Sequence, residues 1–288
     1  MAEYTGTSVN VFYVDGANGN DGFNGQHPSV PLSGTVGPWK TIQHGFDNIA
    51  DGTIGDGDEL RIMATKVYHI GAPLTLTWSS KEVVITGATS GGSGLVDGTI
   101  VEINGNTGAM DGATMMYSSV NSLDQVVFSH LYCNAADNAK TCYHQSVSGS
   151  NGVQFVNCRF SSATEYGFVI DASSYYRFFN CRFDNNASDG LRHNGSQFGL
   201  MYKCLCDNNG GNGANLDSIL NVVECVFFGN SGDGCQSYNN TCTYINNIFD
   251  SNFDNGCAVA GSNQSVHLGN IYSNNGSGGA AGSGIVVY

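Results

Sequence analysis

Arg192 and His193 are adjacent, and Asp189 precedes them by three residues. A guanidinium, an imidazole and a carboxylate held together could neutralise a substrate carboxylate while a base removes the neighbouring proton. Two further carboxylates, Asp184 and Asp207, occupy matching places in the strings CRFDNN and CLCDNN. If those strings stack in adjacent strands, their backbones lie ~4.8 Å apart. That approaches the carboxyl separation of retaining glycosidases, about 5 to 5.5 Å. Each set also has a purely structural explanation. Asp184 and Asp207 open an Asn-containing turn, where such side chains cap the backbone for local reasons. Strand alternation points His193 inward, where a hydrogen-bonded histidine serves packing.

A Gly-rich loop near the N-terminus supplies Asp15, Asn20 and Asp21, oxygen donors of the kind calcium takes. The loop lacks the alternating acids and closing Glu of the twelve-residue calcium motif, and Asn, Asp and Gly are ordinary turn residues. No cofactor is therefore expected, calcium being the one cation these residues suit. The ten cysteines include no CxxC pair with metal-like spacing. They are expected as free thiols of a protein made in a reducing cytoplasm.

These residues need elements to position them, and the chain supplies a repeat. From Val153 onward, six segments align: VQFVNCRF, YRFFNCRF, GLMYKCLC, NVVECVFF, TYINNIFD and VHLGNIYS. One column reads Cys158, Cys181, Cys204, Cys225, Asn247, Asn270. A second, two residues on, reads Phe160, Phe183, Cys206, Phe227, Phe249, Tyr272. A period of two within strands and about 22 between them is the pattern of stacked parallel coils. Asn186, Asn209, Asn230, Asn252 and Asn275 recur after each segment, placed where Asn suits a left-handed turn and can bond its counterpart in the next coil. A second inward column follows: Phe168, Leu191, Ala214, Cys235, Cys257. Forty Gly against four Pro, with only 12% charged residues, fits short strands joined by tight turns. The expected fold is all-β: a single-stranded right-handed parallel β-helix over residues 58–288. Residues 1–57 form an entry segment with a short helix, its Ile42, Phe46 and Ile49 on one face to cap the first coil. The earlier segment from Asn134 to Gln145 reads as a projecting loop.

The strings YVDGANGNDGFNG, PWKTIQHGFDNIADG and GDELRIMATKVYHI resemble the entry motif of right-handed β-helix proteins of the pectate-lyase-like superfamily, phage tailspikes among them. CRFDNNASDGLRHNGS resembles its repeat. The resemblance covers roughly residues 11 to 288 and implies the fold. For function it implies a choice among polysaccharide lyases, glycoside hydrolases, epimerases and noncatalytic surface proteins. The NTD, DD, GHG and RIK strings of the polygalacturonase branch do not occur in the chain, nor does the DPH string of the alginate branch.

Net charge is −14, with ten Lys and Arg in no basic run. Nucleic acid and anionic membranes are poor partners for such a surface. No secretion signal or membrane-length apolar run is evident. Continuing the strand alternation backward from Cys158 puts Val156, Phe179, Tyr202, Val223, Ile245 and Leu268 inside. Phe155, Phe178, Met201, Val222 and Tyr244 then face outward, with Leu205, Val226, Ile248 and Ile271. An exposed apolar stripe of that length implies a partner. The expected protein is a noncatalytic structural or adhesive oligomer, a trimer first, of the phage decoration, spike or fibre type. It would contact capsid or tail proteins, or a polysaccharide. The alternative is a lyase or hydrolase acting on an acidic polysaccharide.

Overall fold

A computed structural model describes residues 10–31, 34–78, 81–93, 101–118, 123, 125–146, 152–171, 175–194, 199–217, 220–238, 242–260, 265–276 and 285–287. Every strand pairing among them is parallel. They form three sheets of ten, nine and nine strands that wind together into a right-handed solenoid of about eight turns. A representative coil contributes Val153–Val156 to the first sheet, Arg159–Ser161 to the second and Tyr166–Ile170 to the third. Each strand lies in register on its counterpart one coil later: Phe155 on Phe178, Phe160 on Phe183, Phe168 on Leu191.

Single residues in the left-handed region make the corners. Asn157, Asn180, Lys203, Glu224 and Asn246, with φ from 52° to 54°, turn the chain from the first sheet to the second. Asn185, Asn208, Ser251 and Asn274 turn it toward the third. The first corner overturns part of the expected inside–outside pattern. A left-handed residue breaks the alternation, so residues three apart across it both face inward. Phe155, Phe178, Met201, Val222 and Tyr244 are therefore fully buried core residues and form no outer face. Val156, Phe179, Tyr202, Val223, Ile245 and Leu268 point outward instead. Leu205, Val226, Ile248 and Ile271 do face outward as expected, with Ile248 39% and Ile271 58% exposed.

The asparagine ladder is present, one residue beyond the left-handed corner. Asn209 Oδ1 accepts from both the backbone N–H and the side-chain amide of Asn186, at 3.2 and 2.9 Å. Its own amide donates to Phe183 O and Asn230 Oδ1. Inside the turn the adjoining glycines leave room for it: a Cβ on Gly213 would stand 2.5 Å from Gly234 O and 2.8 Å from Asn230 Nδ2. All ten cysteines are buried free thiols.

Helix Ile42–Asp51 lies over the first coil, as expected, with Ile42, Phe46 and Ile49 buried. Thr41 caps its N-terminus by accepting from His44 N, and Gly52 ends it at φ 94°. The strand Val11–Val14 of the entry segment pairs with Glu59–Met63 and so belongs to the first sheet. Thr141–Gln145, within the segment expected as a loop, is a strand of the third sheet.

Candidate functional site

The stacked carboxylates are spoken for. Arg159 binds Asp184 of the next coil bidentately, Nε to Oδ1 at 2.8 Å and Nη2 to Oδ2 at 2.5 Å. Arg182 repeats the contact one coil on, at 2.9 and 2.7 Å to Asp207. Asn185 and Asn208 donate to the same carboxylates. Asp184 is fully buried and Asp207 nearly so. A carboxylate closed in by a guanidinium fork and an amide has no lone pair aimed at a substrate. The pair sits at the expected coil spacing yet forms a structural ladder of alternating charge. Arg159 also lies over the Tyr132 ring, 4.6 Å from its centroid.

The entry-loop oxygens are likewise turned to backbone. Asp15 accepts from Ala17 N, Asn18 N, the Asn18 amide and the Thr65 hydroxyl. Burial pushes its pKa up, but these donors outweigh it and hold the carboxyl below its ordinary value. Asn20 Oδ1 accepts from Gly22 N. Asp21 binds Lys40 N, Thr41 N and the Thr41 hydroxyl at the start of the helix. These contacts fix a turn and a helix entry, and among the described residues no group of three His, Cys, Asp or Glu is placed to hold a metal ion.

Arg192 and His193 part company. His193 is fully buried, in register with Ile170 and Leu216. Arg192 faces outward on the third sheet, where its column runs Tyr117, His144, Val169, Arg192, Asn215, Gln236. An open cavity of about 320 Å³ lies on this face, lined by residues of four successive coils. His144 Nε2 is 2.8 Å from Asp171 Oδ2, and Asn194 donates to Asp171 Oδ1 at 2.6 Å. Arg192 Nη1 donates to the Tyr166 hydroxyl at 2.6 Å, its guanidinium 5.0 Å from that ring's centroid. Lys140 pairs with Glu165 at 3.3 Å. Val169 supplies an apolar floor. Of this set, only Arg192 stood out in the sequence. His144 and Asp171 are 27 residues apart and meet because the coils carrying them are adjacent.

In the turns that lead into later strands of the third sheet stand two buried carboxylates. Asp189 Oδ1 accepts from Asn212 N at 2.8 Å, and Asp233 Oδ1 from Asn255 N and its amide, both at 2.8 Å. Burial raises the pKa of both acids despite these donors.

Three parallel sheets, the corner geometry and the asparagine ladder define a right-handed parallel β-helix. Residues 146–288 match the family described as a right handed beta helix region. A search of curated proteins finds no match. Among solved structures, pectate lyase Pel9A superposes with a TM-score of 0.63 at 13% identity, over 92% of this chain and 71% of that one. The A-module of the Azotobacter vinelandii mannuronan C-5 epimerase AlgE6 gives 0.57 at 17% identity, over 85% and 74%. At such identities the likeness is one of fold.

Proposed function

We propose that this protein is a noncatalytic β-helix of structural or adhesive type, whose third sheet offers its outer face to a glycan. The observation that carries this reading is the mutual pairing of the polar groups on that face. His144 is held to Asp171, Lys140 to Glu165, and Arg192 to Tyr166, so each polar group is fixed as a recognition element. The carboxylates do not make a hydrolytic pair. Glu165 and Asp171 flank the strand Tyr166–Ile170 at its two ends, roughly 20 Å apart along extended chain. Hydrolysis by paired carboxyls needs about 5 to 9.5 Å. Asp184 and Asp207 have the spacing but are buried under arginine.

The outward apolar ridge at the first corner supports association with further copies of the chain. It comprises Leu205, Val226, Ile248 and Ile271 on one side and Val223, Ile245 and Leu268 on the other. A trimer is the proposed assembly, and a rod of this kind suits a phage spike, fibre or decoration protein bound to capsid or tail components. Capsid or tail genes beside the coding sequence would support that placement, and sugar-transport genes would oppose it.

One observation favours a second reading as a polysaccharide lyase or hydrolase: a histidine backed by an acid opens onto a cavity beside an arginine. The test is to incubate the protein with acidic and neutral polysaccharides and assay new reducing ends and unsaturated uronates. The proposal expects neither product. Product formation abolished by His144→Ala would establish the enzyme instead.

A further inference from the structure

We infer that the cavity on the third sheet takes a neutral saccharide chain, one without uronate carboxylates. This rests on the glycan-contacting reading above and narrows it to a ligand class. An acidic glycan requires cations whose charge is free to meet it. The basic side chains lining this cavity are each answered from within: His144 by Asp171 at 2.8 Å, and Lys140 by Glu165 at 3.3 Å. Arg192 spends Nη1 on Tyr166 and Nε on Asn194, and it also faces the buried carboxyl of Asp189. Beyond Arg192 the outward column continues as Asn215 and Gln236, so a polyanion extending along the coils would meet amides in place of cations. The chain as a whole bears a net charge of −14.

A neutral sugar asks for what this surface has. Each hydroxyl both donates and accepts, so it is matched by carboxylates, amides and guanidinium N–H groups fixed side by side. Arg192 keeps donors beyond those it has spent, and Asp171, half exposed, keeps lone pairs beyond the two that His144 and Asn194 use. Val169 gives the apolar floor against which the less polar face of a sugar ring packs. The cavity volume of about 320 Å³ is at the lower end of small-ligand sites, the size of one or two sugar units.

Affinity gel electrophoresis of the full chain tests this, with soluble glucan, mannan and galactan as neutral probes and polygalacturonate and alginate as acidic ones. At least one neutral polymer should retard the protein, equally at about 0.05 M and about 0.5 M salt, because no net charge is neutralised. Arg192→Ala and Asp171→Asn should each weaken that retardation about tenfold, the loss of one charge-assisted contact. Both should keep the parent melting temperature within a few degrees. Stronger retardation by either acidic polymer, or retardation by no polymer, overturns the inference. So does neutral binding that both variants leave unchanged, since the site then lies elsewhere. Cleavage of a bound neutral polymer would sink the noncatalytic reading while leaving the ligand class standing.

Discussion

At the scale of single residues, most of the chemistry in this chain is spent on holding the backbone. Lys203 and Glu224 show it at the first corner, where both adopt a left-handed conformation that L residues with a Cβ disfavour by about 1–2 kcal/mol. Neighbouring coils use Asn there. The two form an exposed ion pair at 3.7 Å, worth little in water. Glu224→Asn is therefore expected to stabilise the protein by ~0.5–1 kcal/mol in urea unfolding. Asp189 presents the opposite case, a carboxyl whose pKa burial raises on folding. Such a group favours the folded state below the usual carboxyl range, and that contribution is lost as pH rises through its raised folded value. Asp189→Asn should thus raise stability at pH 7 and have little effect in acid, where both side chains are neutral. Unfolding curves at the two pH values compare them directly. An equal gain at both would mean that burial of the charge is not the cause.

At the scale of elements, the coil is held by its turn as firmly as by its strands. Asn209→Ala would strip two donors of Asn186 and the Phe183 carbonyl of their shared partner, at a cost of about 2–3 kcal/mol. Gly213→Ala should destabilise by a similar ~2 kcal/mol for a different reason, overpacking against the next coil's backbone. Chemical denaturation of both variants checks the pair. The columns on either side of this turn were legible in the sequence because Cys158 and Phe160 lie on the same side of the first corner and Phe168 lies within an unbroken strand, so the alternation holds between them. The inward place of Phe155 over Val156 is hidden in the sequence because the residue that resets the alternation is Asn157 in one coil but Lys203 and Glu224 in others, types that do not announce a left-handed corner. The candidate site was less legible still. His144 lay in a segment whose Asn and Ala content reads as loop, and Asp171 acquires meaning only once the third-sheet register sets the two coils side by side.

At the scale of the molecule, the corrected faces change what a substitution should do. Phe178 belongs to the core, stacked at 5.7 Å on Phe155 and edge-on to Phe168 and Phe183. Phe178→Ala is expected to cost about 3–5 kcal/mol in any oligomeric state. Leu205→Asp and Ile248→Asp lie on the outer ridge and should spare the folded coil while shifting a trimer toward monomer. Multi-angle light scattering at micromolar concentration distinguishes these. A monomeric parent protein, with melting unaltered in both Asp variants, would remove the ridge as an interface. The stacking itself has a further consequence. Tyr176 lies one coil before Gly199 in the shared register, as Arg177 does before Leu200. Excising residues 176–198 would therefore bring Met201 onto Phe155 with every inward side chain still inward. Removing one residue fewer would keep that register too, because coils of 23, 21 and 22 residues already follow one another here with their inward columns aligned. The height of such a rod changes by whole coils whatever the residue count of each, so every coil gained or lost lengthens or shortens the exposed faces without redrawing them.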